Sequence, residues 1–422
     1  MIVEYKFKNF KSFKDETIFY MTAVKGQKDL EENILSLDNK YKNFKESDSK
    51  LLKIVSINGQ NASGKSNFIE SLRFMKKYIE ESHYETKEKV KNLDLETFMF
   101  SDKKDKSTFE LTFICENSCY NYGFELNNEK IFKEWLYKND SLYFQRDDNK
   151  IKVGKKDYIS NNFLKMAEES LKEKKHTLAL SLFYNVFGIS GKDEDLKIVN
   201  NYFIFWLQVP SNESVNLNLK YLASEIAENG EHYSKILSLI KKFIRALDVR
   251  IVDIELSQEL NQEYPFISVH ELLLEDGTKK IEKLPFSKES EGTKKILKTA
   301  YQILMSLSFE GSVLIFDELD DKIHTNLFIE IIRLFQKSKS QFIFASHNPY
   351  ILEQNLLRRD QIYFVDKNQK EESELYSLSD FKGVRKTDSY QKRYLNGNYG
   401  AVPIIDFSDL EKELGFDKDE KK

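Results

Sequence analysis

Gly59-Gln60-Asn61-Ala62-Ser63-Gly64-Lys65-Ser66 fits the spacing G-x-x-x-x-G-K-[ST], and it lies between an apolar run, Leu51 to Ile57, and a helical pattern. Phe68, Ile69, Leu72, Met75 and Ile79 recur at the spacing of one buried helix face. A buried strand, a glycine-bearing loop and an amphipathic helix are the context this loop needs. Glycines turn backbone N–H groups toward phosphate oxygens, and the helix N-terminus adds positive potential. Lys65 reaches the β- and γ-phosphates and Ser66 ligates Mg²⁺, while Gly59 through Asn67 line the nucleotide. With 15 glycines in 422 residues, an accidental glycine turn of this form is a poor alternative.

Downstream, Val313-Leu314-Ile315-Phe316 reads as a buried parallel strand that ends in Asp317-Glu318. Asp317 is placed to hold the metal's water shell and Glu318 to polarise the attacking water. Taken alone, such a strand could equally be one entering a polar loop; the phosphate loop upstream favours the catalytic reading. A second buried run, Phe342-Ile343-Phe344-Ala345, ends in Ser346-His347, where an imidazole can reach a γ-phosphate. His83, His176, His232, His270 and His324 have no such setting and read as ordinary surface or core residues. Ser290-Glu291-Gly292-Thr293 opens a helix whose apolar residues are Ile296, Leu297, Ala300, Tyr301, Leu304 and Leu307. Ser-x-Gly there suits an anion site and an ordinary N-cap alike.

The rest of the chain frames these motifs. Residues 1–154 read as the first half of a head, with two N-terminal strands forming a half-exposed edge sheet. Further strands follow at Phe109 to Cys115, Tyr120 to Leu126 and Ile131 to Tyr137, separated by turns at Glu116-Asn117 and Asn127-Asn128. Residues 155–247 turn helical, with Leu178, Leu182, Val186 and Phe187 in one segment and Ile236, Leu237, Leu239, Ile240 and Phe243 in another. This insertion lacks sustained heptads and a CxxC hook, which disfavours a long coiled-coil arm. Residues 248–422 resume with strands at Ile251 to Leu256 and Phe266 to Leu274, then alternate helix and buried strand.

Composition sets outer bounds. A net charge of −4 gives no global attraction to nucleic acid, so DNA contact would need a local basic patch. Cys115 and Cys119 have no further ligands to complete a zinc site and read as reduced and structural. The longest apolar run, Tyr202 to Leu207, is far too short for a membrane span, and no signal-peptide pattern opens the sequence; a cytoplasmic protein is expected.

Walker A, Ser-x-Gly-Thr, Asp-Glu and Ser-His in this order resemble the ABC-type ATPase heads of the SMC, RecF and OLD group, and the opening Asn9-Phe10-Lys11-Ser12-Phe13 resembles the start of those heads. The resemblance implies an α/β P-loop fold of ABC type: a mixed central sheet with helices, an antiparallel N-terminal β subdomain and a helical insertion. It implies ATP and Mg²⁺ as ligands, and a homodimer or higher oligomer in which Ser290 and Gly292 of one copy complete the ATP site of the other. Arg358-Arg359-Asp360-Gln361-Ile362 and Tyr394-Leu395-Asn396-Gly397-Asn398-Tyr399-Gly400 resemble the RloA/AbiLi type of abortive-infection ATPases. A separately encoded effector, a nuclease or other toxin, is the partner so implied. Two departures stand out. No Q-loop glutamine can be placed around Phe98-Met99-Phe100-Ser101, which weighs against a transporter ATPase. The short C-terminal stretch after His347 offers only Asp417-Lys418-Asp419 in a charged tail, which weighs against a fused nuclease. A DNA-clamping repair ATPase and an ATP-dependent scaffold with little turnover remain as alternative readings.

Overall fold

In the computed structural model, the described residues are 1–37, 50–84, 95–102, 104–155, 159, 161–185, 194–210, 212–228, 231–246, 250–317, 319, 323–352, 355–385, 387–403 and 406–414. Glu318, Val186, Phe187 and Asp417 to Asp419 lie outside them.

In chain order the first half contains β1 (Ile2–Lys8), β2 (Thr17–Tyr20), β3 (Ile34–Ser36), β4 (Lys50–Leu52), β5 (Ile54–Asn58), α1 (Lys65–Glu81), β6 (Ser107–Cys115), β7 (Ser118–Leu126), β8 (Ile131–Lys138), β9 (Ser141–Asp147) and β10 (Lys150–Val153). A helical stretch follows: α2 (Asn161–Glu173), α3 (Ala179–Asn185), α4 (Glu194–Asn201), a π-helical turn (Tyr202–Trp206), β11 (Leu207–Gln208), α5 (Asn212–Ala227) and α6 (Glu231–Ala246). The remainder comprises β12 (Ile251–Leu256), β13 (Phe266–Leu273), β14 (Lys279–Pro285), α7 (Glu291–Ser308), β15 (Val313–Phe316), α8 (Thr325–Lys337), β16 (Gln341–Ser346), β17 (Ile362–Lys367), β18 (Ser373–Ser377), α9 (Tyr390–Leu395) and α10 (Ser408–Glu413).

The central sheet has the order β11-β15-β16-β5-β17-β18, parallel except for β18. Its parallel strands are mostly apolar because both faces are covered, whereas the antiparallel edge strand β18 is mostly polar. Side-chain alternation then sorts them. Val55, Ile57, Val313, Ile315, Ile343, Ala345 and Val365 enter one core, while Ile54, Leu314, Phe342, Phe344, Ile362 and Phe364 enter the other. The first core lies under α1, whose Phe68 sits edge-on to Tyr5, Phe7 and Phe19 at centroid distances of 6.2, 6.0 and 5.1 Å. Each such buried ring contributes about 1.5–3 kcal/mol. The second core is filled from α8 and the C-terminal segment.

The antiparallel sheet runs β10-β9-β8-β7-β6-β1-β2. Of the two N-terminal strands expected at a half-exposed edge, β2 is the edge strand, whereas β1 is an inner strand, paired to β2 and β6, with Ile2, Tyr5 and Phe7 buried. The alternation was real, since Glu4 and Lys6 keep the outer face and Lys6 pairs with Glu4 and Glu110. Leu51 to Ile57 is also two strands rather than one. The chain changes partner at Lys53, so that β4 pairs with β3 and β5 with β16 and β17.

The helical stretch divides between cores. α2 to α4 and the π-helical turn pack on the antiparallel sheet through Ala167, Leu171, Leu182, Val199, Tyr202 and Phe203. Buried Glu134 fixes this attachment by accepting from the Ala179 and Leu180 N–H groups at 2.7 and 3.0 Å, with Arg146 beside it. α5 and α6 instead form a third core with β12, β13 and α7, through Leu222, Ile240, Ile254 and Leu297. The short β11 between them joins the edge of the central sheet beside β15.

Candidate functional site

Three neighbouring parallel strands, β15, β16 and β5, end at the same edge of the central sheet. Register places Phe316 opposite Phe344, Phe344 opposite Ser56, and Ser346 opposite Asn58. Asp317, His347 and the loop that begins at Gly59 therefore leave the sheet side by side. This is the crevice at the carboxyl ends of strands where open α/β sheets bind ligands.

The loop's shape comes from its neighbours. Gly59 has φ +155°, and a Cβ there would come within 3.0 Å of the Val365 carbonyl oxygen. Gly64, the N-cap of α1, has φ +117° and is closed in by the Ser373 and Ser12 hydroxyls. It offers no side-chain cap, which leaves the first N–H groups of α1 to be satisfied by other partners. Ser373 Oγ lies 2.6 Å from Ser63 O and 2.7 Å from Ser12 Oγ, and Asn67 Nδ2 donates to Ser12 Oγ at 2.7 Å. The opening motif thus braces the loop through Ser12, while its Asn9 Oδ1 accepts from Phe98 N at 3.1 Å and ties the motif to a separate segment.

Lys65 is buried, and its ammonium donates to Gly59 O and Gln60 O at 2.8 and 2.9 Å. It also meets His347 Nδ1 at 3.3 Å. An ammonium has only protons to give, so Nδ1 must be the accepting nitrogen and the ring proton sits on Nε2. That tautomer leaves an N–H donor on the far side of the ring. His347 itself is exposed at the end of β16, and Asn348 steadies the turn by donating from Nδ2 to Thr325 Oγ1 at 3.0 Å.

The loop residues fit a triphosphate. The glycine cradle admits no side chain, and Ser63 Oγ is buried with no hydrogen-bond partner among the described residues. Ser66 at the start of α1 and Asp317 after β15 are the hydroxyl and the carboxylate that would hold Mg²⁺. Among the described residues no group of three or more His, Cys, Asp or Glu forms a metal cage. A hydroxyl and one carboxylate completed by phosphate oxygens and water is the coordination Mg²⁺ favours.

Ser290 and Gly292 lie at the start of α7. Ser290 caps α7, its Oγ accepting from Thr293 N at 3.1 Å, and α7 packs in the third core with β12, β13, α5 and α6. The N-cap reading is therefore realised. The Arg358 to Ile362 motif is structural: the Arg358 guanidinium grips Asp360 in a buried two-point pair at 2.9 and 2.8 Å and also donates to Asp29 O. Gln361 accepts from Asn33 Nδ2 and donates to Ile54 O, both at 2.7 Å. Sequence reading missed Ser373 and Asp366, which touch the phosphate loop from β18 and β17. Ser373 lies in a polar stretch with no pattern to mark it, whereas Asp366 follows four apolar residues, Ile362 to Val365, as Asp317 does, and that signal could have found it.

A parallel sheet in which the strand ending in His347 separates the phosphate-loop strand from the acidic strand, joined to an antiparallel sheet, makes a mixed α/β P-loop ATPase head. A family model described as "AAA domain, putative AbiEii toxin, Type IV TA system" matches residues 54–353, and the chain belongs to that family. Among solved structures, the chain is similar to an SMC head bound to the C-winged helix domain of ScpA, with 14% identity, a TM-score of 0.44, and 89% of this chain and 97% of that one covered. It is also similar to the SMC head domain from Thermotoga maritima, with 15% identity, a TM-score of 0.41, and 89% and 98% covered. A third is an SMC head domain with an extended coiled coil bound to the C-terminal domain of ScpA from Pyrococcus furiosus, with 12% identity, a TM-score of 0.42, and 89% and 96% covered. At this level of superposition the likeness does not bear on activity or partners. A search among curated proteins finds no match. Among the described residues no helix is long and apolar enough to cross a membrane.

Proposed function

We propose that the chain binds and hydrolyses ATP between two copies of its head, and that this cycle regulates a separately encoded toxic effector in an abortive-infection system. The observation that carries the reading is the convergence of Gly59 to Ser66, Asp317 and His347 at one sheet edge, with Lys65 held between the loop carbonyls and the His347 ring. The family's description, which names a toxin and a Type IV TA system, supports the biological setting.

Bound Mg·ATP supplies an electrophilic γ-phosphorus and a leaving group. In the proposed chemistry Lys65 leaves its loop carbonyls for the β- and γ-phosphate oxygens, and the loop N–H groups hold the chain in line. Ser66 and Asp317 would hold Mg²⁺, which would neutralise charge on the phosphates. Glu318 accepts a proton from the attacking water as the bond from oxygen to γ-phosphorus forms and the bond to the bridging oxygen breaks. The Nε2–H of His347 donates to the γ-phosphoryl oxygens as charge builds there. Ser290 and Gly292, at the start of α7, are assigned to the partner copy's γ-phosphate.

The test is ATP hydrolysis with light scattering, comparing wild type and Glu318→Gln with and without duplex DNA. Glu318→Gln is expected to stop turnover and hold an ATP-dependent dimer. Normal hydrolysis by that variant would overturn the assignment of the base. DNA-stimulated turnover in the wild type would replace the effector reading with a DNA clamp.

A further inference from the structure

Asp366, next to the last residue of β17, joins two parts of the chain that are far apart in sequence. Its Oδ1 accepts from Gln60 Nε2 in the phosphate loop at 3.4 Å and from Lys367 N at 2.9 Å. Its Oδ2 accepts from Ala401 N at 2.8 Å.

The Ala401 end is rigidly built. Ala401 is buried with φ +56°, a backbone conformation rare for residues with a Cβ. Gly400 before it has φ +69°, and a Cβ there would come within 3.0 Å of Tyr376 Oη and 3.1 Å of Asp366 Oδ2. Tyr376 Oη donates to Tyr399 O at 2.8 Å, and Tyr394 Oη donates to Ala401 O at 3.0 Å. Phe364, on the same strand as Asp366, stacks on Tyr394 and Tyr399 at 5.3 and 5.7 Å. The Tyr394 to Gly400 motif thus folds into a turn whose outcome is one N–H aimed at Asp366.

The Gln60 end bears on the nucleotide. Gln60 supplies one of the carbonyls that hold Lys65, so fixing its side chain fixes the carbonyl as well. We propose that Asp366 is a positioning residue for the phosphate loop, coupling the C-terminal turn Asn396 to Ala401 to Gln60 and so setting the affinity for ATP. This rests on the reading of Gly59 to Ser66 as the nucleotide site.

A double-mutant cycle in the full chain tests it, reading KM and kcat for ATP, equilibrium binding of a fluorescent non-hydrolysable ATP analogue, and melting without nucleotide. Losing the Gln60 contact should raise KM about three- to tenfold in both Asp366→Ala and Gln60→Ala, with kcat little changed. In the Gln60→Ala background, Asp366→Ala should add nothing to KM. Asp366→Asn keeps one acceptor oxygen, which can serve Ala401 N or the side shared by Gln60 Nε2 and Lys367 N but not both, so a KM between those of wild type and Asp366→Ala is expected. Should Asp366→Ala fail to fold, Tyr376→Phe loosens the turn without touching Asp366; it should raise KM only when Gln60 is present. An unchanged KM in Asp366→Ala, or in Tyr376→Phe where that variant stands in, overturns the coupling. So does a rise of equal size in both Gln60 backgrounds. If the wild type itself binds no ATP, the reading of the phosphate loop falls instead, independently of this cycle.

Discussion

Replacing Gly59 with alanine tests whether the phosphate loop has the described shape. Two costs arise. Alanine at φ +155° occupies a region tolerated almost only by glycine, on the order of 1–3 kcal/mol. The new Cβ also comes within 3.0 Å of the Val365 carbonyl oxygen, a backbone atom inside the central sheet that cannot rotate away, and overpacking of that kind costs about 1–3 kcal/mol. Together they remove about 2–6 kcal/mol from a stability that is commonly about 5–15 kcal/mol.

The control is Gly277→Ala in the turn between β13 and β14. There φ is +81° with nothing within 4 Å of the added Cβ, so only the conformational cost, about 1–2 kcal/mol, is incurred. Thermal unfolding with and without saturating Mg·ATP separates the outcomes. At roughly 1–2 °C per kcal/mol for a chain this long, Gly59→Ala should melt about 2–12 °C below wild type and Gly277→Ala about 1–4 °C below. ATP at about 100 times its Kd adds about 2.7 kcal/mol to the wild type and to Gly277→Ala, whereas Gly59→Ala should lose that increment. If Gly59→Ala melts no lower than Gly277→Ala and is still stabilised by ATP, the close approach of the loop to Val365 is wrong.

Further outcomes follow from individual contacts. His347→Ala should lower kcat about 10²–10³-fold, as loss of a donor to developing charge does, with the Kd of a non-hydrolysable analogue changed less than about tenfold; an equal loss in both would make His347 a binding residue only. Arg358→Met should destabilise by about 3–5 kcal/mol in denaturant unfolding, because Asp360 is left charged and buried. The double variant Arg358→Met with Asp360→Leu should recover most of that, and no recovery would refute a pairwise cost.

The parts of the site that were legible in sequence are those whose residues are contiguous. A glycine loop between strand and helix, an acidic pair after four apolar residues, and Ser-His after another apolar run each announce themselves, because one strand end displays neighbouring residues in one direction. The predicted face of α1 is buried as read. Sheet order is another matter. That β16 lies between β5 and β15 depends on pairings across hundreds of residues, and apolar strands in a parallel sheet look alike. β9 escaped notice although Asn139 and Asp140, both with positive φ, mark the hairpin that leads into it. β11 is two residues long and has no period to detect. Glu318 was legible as a candidate base, but it lies outside the described residues.

What sequence could not convey is how the loop is held. Its glycines permit the required backbone but do not enforce it, since glycine loses more conformational freedom on folding than any other residue. Enforcement comes from four separate segments: Ser12 after β1, Asn67 in α1, Val365 and Asp366 on β17, and Ser373 on β18. The antiparallel β17–β18 pair stands behind the loop and is itself anchored by the C-terminal aromatic turn. A motif search sees the loop because its residues are consecutive in the chain. It cannot see the brace, in which each member needs only one hydroxyl, carbonyl or carboxylate at the right place. The same physics explains why the Tyr394 to Gly400 stretch was recognisable as a pattern yet gave no hint of its contact: its glycine and aromatic residues build a turn, and the working group is a main-chain N–H, which every residue but proline has.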